Sequence, residues 1–223
     1  MTALGSIRIL VADDQEDVRS AFRMILDAQP DMTVVAEAAD GASAVEQAEH
    51  LRPDVVLVDI RMPKMDGLEV TRRLAGPDVA APLRVVVVTT FDLDEYVYAA
   101  LRNGACGFLL KRSGPGLLVE AVRAAAVGDA LISPSITVRL LRQLAKHQSS
   151  DAPVVVSELT HRELEIVRVL ATGRTNAEIA AELFIGLGTV KNHVAAIQRK
   201  LGVSNRVGIA AWAWETGHTP TRS

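Results

Sequence analysis

Two hydrophobic periods alternate along the front half of the chain. Short, largely β-branched apolar runs occupy residues 7–12, 33–38, 55–58 and 85–88, with a weaker one at 107–110. Near-continuous apolar runs of this length mark strands covered on both faces. The stretches between them carry apolar residues at helical spacing: Val18, Phe22, Ile25 and Leu26; then Ala44, Val45, Ala48 and Leu51; then Leu68, Val70 and Leu74; then Val97, Ala100 and Leu101; then Leu117, Leu118, Ala121 and Val122. Pro53, Pro63, Pro82 and Pro115, with Gly41, Gly67, Gly104 and Gly107, fall at the joints, where chain breakers belong. The alternation predicts an α/β unit over 1–128: a five-stranded, doubly wound parallel sheet with helices on both faces.

The pattern changes after Gly128. Residues 133–146 read as one amphipathic helix, with Ile136, Leu140, Leu141 and Leu144 spaced along it, and 147–157 as a polar, Pro-containing linker, so 129–157 is a connecting helix and linker. Residues 158–218 read as a smaller all-α four-helix domain. Thr160-His161-Arg162-Glu163 is a capping-box pattern opening the run Leu164, Val167, Leu170. Thr175-Asn176-Ala177-Glu178 is a second, opening Ile179, Ala180 and Leu183. Val190, Val194, Ile197 and Leu201 follow at i, i+4, i+7 and i+11, Gly202 closes that helix, and Ser204 or Asn205 caps a fourth. Two short helices joined by a tight turn, the second one basic, form a helix-turn-helix.

Charge separates the same two regions. The 223 residues sum to −3, but residues 1–130 hold 13 basic against 20 acidic side chains, and residues 131–223 hold 11 against 7. An acidic front suits a cation; a basic back suits an anionic polymer. The single cysteine, Cys106, excludes an internal disulfide framework and any multi-cysteine zinc site. It reads as a small packed side chain. No uncharged apolar run approaches the ~18 residues of a membrane span, and the N-terminus lacks the basic start and long apolar stretch of an export signal. The expectation is a cytoplasmic protein without a membrane partner.

In an open parallel sheet the chemistry gathers at the carboxyl ends of the strands. Those ends carry Asp13 and Asp14 after the first strand, Asp59 after the third, Thr89 and Thr90 at the fourth and Lys111 at the fifth. Three carboxylates in one crevice repel one another unless a hard cation such as Mg²⁺ sits among them. An Asp carboxylate is also a nucleophile toward phosphorus, forming an aspartyl phosphate, with Lys111 and Thr89 placed to meet phosphoryl oxygens. Plainer readings stand beside this one. Asp13 and Asp14 suit a helix N-cap pair, Lys111 a solvated charge, and Phe108 a core aromatic.

Several segments carry a resemblance. Val11-Ala12-Asp13-Asp14, Val58-Asp59-Ile60-Arg61-Met62-Pro63 with Asp66-Gly67, Val88-Thr89-Thr90-Phe91, and the run from Gly104 through Phe108 to Lys111 resemble the flavodoxin-like receiver domain of bacterial response regulators. Thr89 lies 30 residues after Asp59, and Lys111 lies 22 after Thr89, spacings similar to those of receivers. The resemblance implies that Asp59 accepts a phosphoryl group from a sensor histidine kinase. It implies Mg²⁺ held by Asp13, Asp14, Asp59 and the Arg61 backbone carbonyl, and a switch made of Thr89, Phe108 and Lys111. Arg112 departs from the proline or acidic residue common after that lysine.

Residues 158–217 resemble the LuxR-type DNA-binding domain of the NarL/FixJ subgroup through Leu159-Thr160-His161-Arg162-Glu163, Asn176-Ala177-Glu178-Ile179-Ala180, Gly188-Thr189-Val190-Lys191-Asn192-His193-Val194 and Arg199-Lys200-Leu201-Gly202-Val203. Winding the helix from Val190 at 100° per residue puts its apolar stripe inward and Lys191, Asn192, Ala195, Ala196 and Arg199 outward. Lys191 and Asn192 are placed to reach base edges, Arg199 bases or phosphates, Thr189 a phosphate, and Lys200 the flank. Asn176 falls where the family often contacts phosphate, and Gly186 stands where a serine cap is common. Together the resemblances imply a transcription factor, not a turnover enzyme, that dimerises when phosphorylated and binds repeats in promoter double-stranded DNA. A phosphorylation-independent DNA-binding regulator and an aspartyl-phosphate hydrolase are the alternatives. Against the hydrolase, the position where such enzymes place their second acid is Arg61.

Overall fold

The structure is a computed structural model and describes residues 6–91, 93–132, 159–203 and 205–218. The chain divides into two compact units, Met1–Ser133 and Pro134–Ser223.

The front unit alternates β1 (Ile7–Ala12), α1 (Glu16–Asp27), β2 (Met32–Ala38), α2 (Gly41–Leu51), β3 (Val55–Val58), α3 (Gly67–Ala75), β4 (Arg84–Thr89), α4 (Asp94–Arg102), β5 (Gly107–Leu110), a single 3₁₀ turn (Lys111–Ser113), α5 (Pro115–Val127) and β6 (Leu131–Ile132). All pairings are parallel and the strand order is β2-β1-β3-β4-β5-β6. Every residue of β3 and β5 is buried, which explains why both read as unbroken apolar runs rather than alternating ones. One face of the sheet presents Ile9, Val11, Val55, Leu57, Val86, Val88 and Leu109 to Leu26 of α1 and to Leu118, Ala121, Val122 and Ala125 of α5. Helices α2, α3 and α4 pack in series.

The sheet has six strands, not the five expected. Gly128 adopts the left-handed conformation (φ 84°) that closes α5, and the amides of Gly128 and Asp129 donate to the carbonyls of Ala125 and Ala124. This turn sends the chain back along the sheet edge, where Leu131 and Ile132 pair with Gly107 and Phe108. Two residues are too few to show a period. The start of the expected connector is therefore part of the sheet, while the helix expected over 133–146 and the linker over 147–157 lie outside the described residues.

The back unit contains α6 (His161–Leu170), α7 (Asn176–Glu182), α8 (Leu187–Leu201) and α9 (Arg206–Glu215). Both capping boxes form: the Thr160 and Thr175 hydroxyls accept from the amides of Glu163 and Glu178, whose carboxylates accept in return from the threonine amides. Gly186 is the N-cap of α8 without a side-chain bond, and Asn205 caps α9 by accepting from the Gly208 amide. Ser204, the other cap candidate, lies outside the described residues. Ile166, Val167, Leu170, Ile179, Val190, Val194, Ile197, Ile209 and Ala213 make the core. Among the described residues, no helix is long and apolar enough to cross a membrane.

Candidate functional site

The backbone ladder continues just past the strand ends. The Asp13 amide donates to Ala38 O at 3.0 Å and the Asp59 amide to Ala12 O at 2.9 Å. These bonds fix both aspartates at the carboxyl edge, on neighbouring strands, with side chains almost wholly buried. Gly67 closes in behind the acceptor. A Cβ there would lie 2.0 Å from Asp59 O, so only glycine lets α3 begin so close, and the Gly67 amide donates to Ile60 O at 2.8 Å.

Ligand oxygens of Asp13, Asp14 and Asp59 all lie within 4.8 Å of one another; Asp14 is exposed while the other two are buried. Lys111 enters from the turn after β5 and bridges two of them, its Nζ at 2.6 Å from Asp13 Oδ2 and 2.9 Å from Asp59 Oδ2. The remaining oxygens are held by the main chain. The Gln15 amide donates to Asp13 Oδ1 at 3.0 Å and the Ile60 amide to Asp59 Oδ1 at 2.7 Å. Burial pushes the Asp13 carboxyl above its ordinary pKa, against the lowering pull of Lys111 and the Gln15 amide. Burial works to lower the Lys111 ammonium, but its bonds to Asp13 and Asp59 outweigh it and raise the pKa. Three carboxylates facing one ammonium leave the pocket negative. An all-oxygen donor set of this charge fits a hard divalent cation such as Mg²⁺.

The helix-cap alternative for the first pair is not what forms. Gln15 is the N-cap of α1, it makes no side-chain cap bond, and Asp13 is taken up by Lys111. Of the two adjacent threonines, Thr89 is buried and Thr90 is exposed. Thr89 Oγ1 accepts from the Phe91 amide at 3.3 Å. Val87 lies beside Phe108 in the ladder, so Thr89, two residues on, shares the face that carries Phe108. The Phe108 ring is fully buried. Burial pushes the Cys106 thiol up to about 12, and its Sγ donates to Val85 O at 3.3 Å.

In the back unit, Val190, Val194 and Ile197 of α8 are buried, whereas Thr189, Asn192, Ala195 and Arg199 are exposed and Lys191 and Ala196 half-buried. These form the outward strip expected. Two of the expected DNA contacts are placed differently. The Asn176 side chain is buried, with Oδ1 3.5 Å from Arg206 Nη1. Lys200 donates to Glu163 Oε2 at 2.7 Å, tying α8 to the buried carboxylate that closes the first capping box. Neither was readable from its own helix, because each partner lies on another one. Sequence reasoning also missed the Arg61 side chain, which rests on Phe91 and Tyr96.

Comparison with known proteins finds a family for each of the two units. Residues 9–123 match the response regulator receiver domain, and residues 157–213 match bacterial regulatory proteins of the luxR family. The chain is 40% identical over 207 residues to the transcriptional regulatory protein LiaR of Bacillus subtilis (strain 168), covering 93% of this chain and 96% of LiaR. The crystal structure of the response regulator ChrA, from a heme-sensing two-component system, is similar with a TM-score of 0.53 and 38% identity, covering 96% of this chain and all of ChrA. The receiver domain of the putative response regulator NarL from Mycobacterium tuberculosis is similar over 56% of this chain and 98% of its own length, at 39% identity and a TM-score of 0.53.

Proposed function

This chain belongs to the two-component response regulators that carry a LuxR-type DNA-binding domain and regulate transcription, and from that premise we propose that a phosphoryl group on Asp59 controls its dimerisation and sequence-specific DNA binding. The observation that carries the reading is the Lys111 ammonium bridging Asp13 and Asp59 inside a three-carboxylate cluster. The carboxylates suit a divalent cation, and the lysine stands beside the acceptor where a phosphoryl oxygen would arrive.

Asp59 Oδ attacks the phosphorus of a kinase phosphohistidine. The P–N bond breaks, and its electron pair leaves on the imidazole nitrogen, which takes up a proton. Asp13, Asp14, Asp59 and the Arg61 carbonyl would hold Mg²⁺, which supplies charge stabilisation to the transferring group. Lys111 turns from the carboxylates to a phosphoryl oxygen. Thr89 accepts from Phe91 through its oxygen and keeps its own proton to donate to another. These shifts bias a two-state equilibrium of the α4–β5–α5 face, residues 94–127, which is the proposed dimer surface. Paired back units then set two α8 helices on repeated half-sites. Thr189, Lys191, Asn192, Ala195 and Arg199 face DNA, while Lys200 and Asn176 serve the fold.

The test compares wild type with Asp59→Asn, incubated with a phosphodonor and Mg²⁺. Wild type should take up acid-labile phosphate, dimerise and bind promoter DNA more tightly. Asp59→Asn should do none of these while keeping its fold. Identical dimerisation and DNA binding in both proteins, with and without donor, would overturn the phospho-switch.

A further inference from the structure

The geometry points to the Arg61 side chain as a recognition residue for the anionic phosphoryl donor, a role separate from that of its main-chain carbonyl; the inference rests on Asp59 being the acceptor. Arg61 lies two residues beyond the acceptor. Its guanidinium carbon sits 4.4 Å above the centre of the Phe91 ring, and Nη2 donates to the Tyr96 hydroxyl at 3.2 Å. The two rings meet edge to face with centroids 6.4 Å apart.

Arg61 and Tyr96 line a cavity of about 440 Å³ together with Asp14 and Asp66, with Met62 and Leu68 among its apolar walls. Asp14 belongs to the carboxylate cluster, so the cavity opens directly beside the acceptor. A phosphoryl donor arriving there carries negative charge and meets two carboxylates, of which only Asp14 belongs to the set that would hold Mg²⁺, so the Asp66 charge stays uncompensated by the ion. Among the described residues, Arg61 is the one cation in that wall. Before transfer the Lys111 ammonium is engaged by Asp13 and Asp59 rather than by Asp14 or Asp66.

The guanidinium carries five N–H donors, and among the described residues its one hydrogen-bond acceptor is Tyr96. A ring face and a neutral hydroxyl are weak holds for a cation, whereas a guanidinium–phosphoryl pair is charge-assisted and bidentate. The fork therefore exchanges readily from Phe91 and Tyr96 to the incoming group. Asp59 Oδ then attacks phosphorus. With acetyl phosphate as donor, the bond from phosphorus to the acetyl oxygen breaks, and acetate leaves with the electron pair.

The competing role for Arg61 is a purely structural clasp between the β3–α3 loop and the start of α4, and the experiment separates the two. Full-length protein is phosphorylated by subsaturating acetyl phosphate with Mg²⁺, and the rate constant is followed as ionic strength rises. Arg61→Ala should lower the rate constant about tenfold and flatten its salt dependence, because the attraction being screened is gone. Arg61→Lys, which keeps the charge, should recover to within about threefold of wild type. Tyr96→Phe breaks the clasp but leaves the cation free, and should stay within about twofold of wild type. An unchanged Arg61→Ala rate, or a Tyr96→Phe loss equal to that of Arg61→Ala, would overturn the assignment. Should wild type take up no more label than Asp59→Asn, the acceptor itself is wrong and the inference falls with it.

Discussion

Both units bury polar side chains, but they do so for opposite reasons. Among the described residues of the back unit the buried polar ones are Glu163, Asn176 and Asn205, and two of these three cap helices. Glu163 closes a capping box and is met by Lys200, and Asn205 holds the first turn of α9. In the front unit Asp13 and Asp59 are buried beside each other, share one lysine and cap nothing. A buried carboxylate that satisfies a helix end contributes to the fold. Two buried carboxylates pushed together work against it, and such an arrangement points to a task other than stability. The same residue type thus reports fold in one half and function in the other, and substitutions should separate the two by sign.

The largest effect should come where the back unit has no polar device at all. Ile197 is fully buried among Ile166, Ile179, Val190 and Ile209. Ile197→Ala should cost about 2–5 kcal/mol, read as lost hydrogen-exchange protection over 159–203 with protection over 6–91 unchanged. Next, Glu163→Ala should cost roughly 1–2 kcal/mol, because it removes the carboxylate that closes the capping box and accepts from Lys200. Burial works to raise the Glu163 carboxyl, but Lys200 and Thr160 outweigh it and hold it below the ordinary range. The folded value is lowered, so its stabilisation is present above the unfolded carboxylate pKa of ~4.3. It is lost as pH falls through the folded value. Acid titration of stability should therefore lose this component in Glu163→Gln. An equal acid profile in the two proteins would erase the contrast between the units.

How much of this was legible depended on whether partners are close in sequence. The capping boxes are four-residue patterns and form as read. Strand ends are local too, so Asp13, Asp14, Asp59, Thr89 and Lys111 arrive at one edge once the strands are parallel. What stayed hidden is tertiary. Lys200 looks like a flank cation on the α8 wheel, yet its partner Glu163 lies 37 residues away. Asn176 looks like a phosphate contact until Arg206 is found beside it. Arg61 reads as a carbonyl ligand and as a missing second acid until Tyr96, 35 residues on, meets its side chain. The sixth strand escaped for a different reason: its two residues are held by pairing to β5, and no intrinsic pattern of their own announces them.

On the outward strip of α8, Lys191→Ala and Arg199→Ala should each weaken promoter binding by about 1–3 kcal/mol in gel shift, leaving stability within ~0.5 kcal/mol. The contrast sharpens here, because in the back unit function sits on the surface and stability in the interior. Lys200→Ala is the control. Its ammonium serves Glu163, so the loss should appear in stability first.

The smallest effect carries the opposite sign and bears most directly on the comparison. Asp13→Asn keeps the shape of the side chain and an oxygen that accepts from the Gln15 amide. It removes a buried negative charge whose neighbours include Asp59, and it leaves Lys111 paired with Asp59 at 2.9 Å. Burial raises the Asp13 pKa, which means the fold disfavours the charged form, so the neutral amide should be tolerated or preferred. The expectation at neutral pH without divalent cation is unchanged stability or a gain of up to about 1 kcal/mol by urea denaturation. Added Mg²⁺ reverses the order. An ion bound to the native site stabilises wild type by mass action, and the variant, lacking one carboxylate, gains less. If Asp13→Asn instead destabilised the metal-free protein as Glu163→Ala does the back unit, its carboxylate would be part of the scaffold, and the two halves would bury charge for the same reason after all.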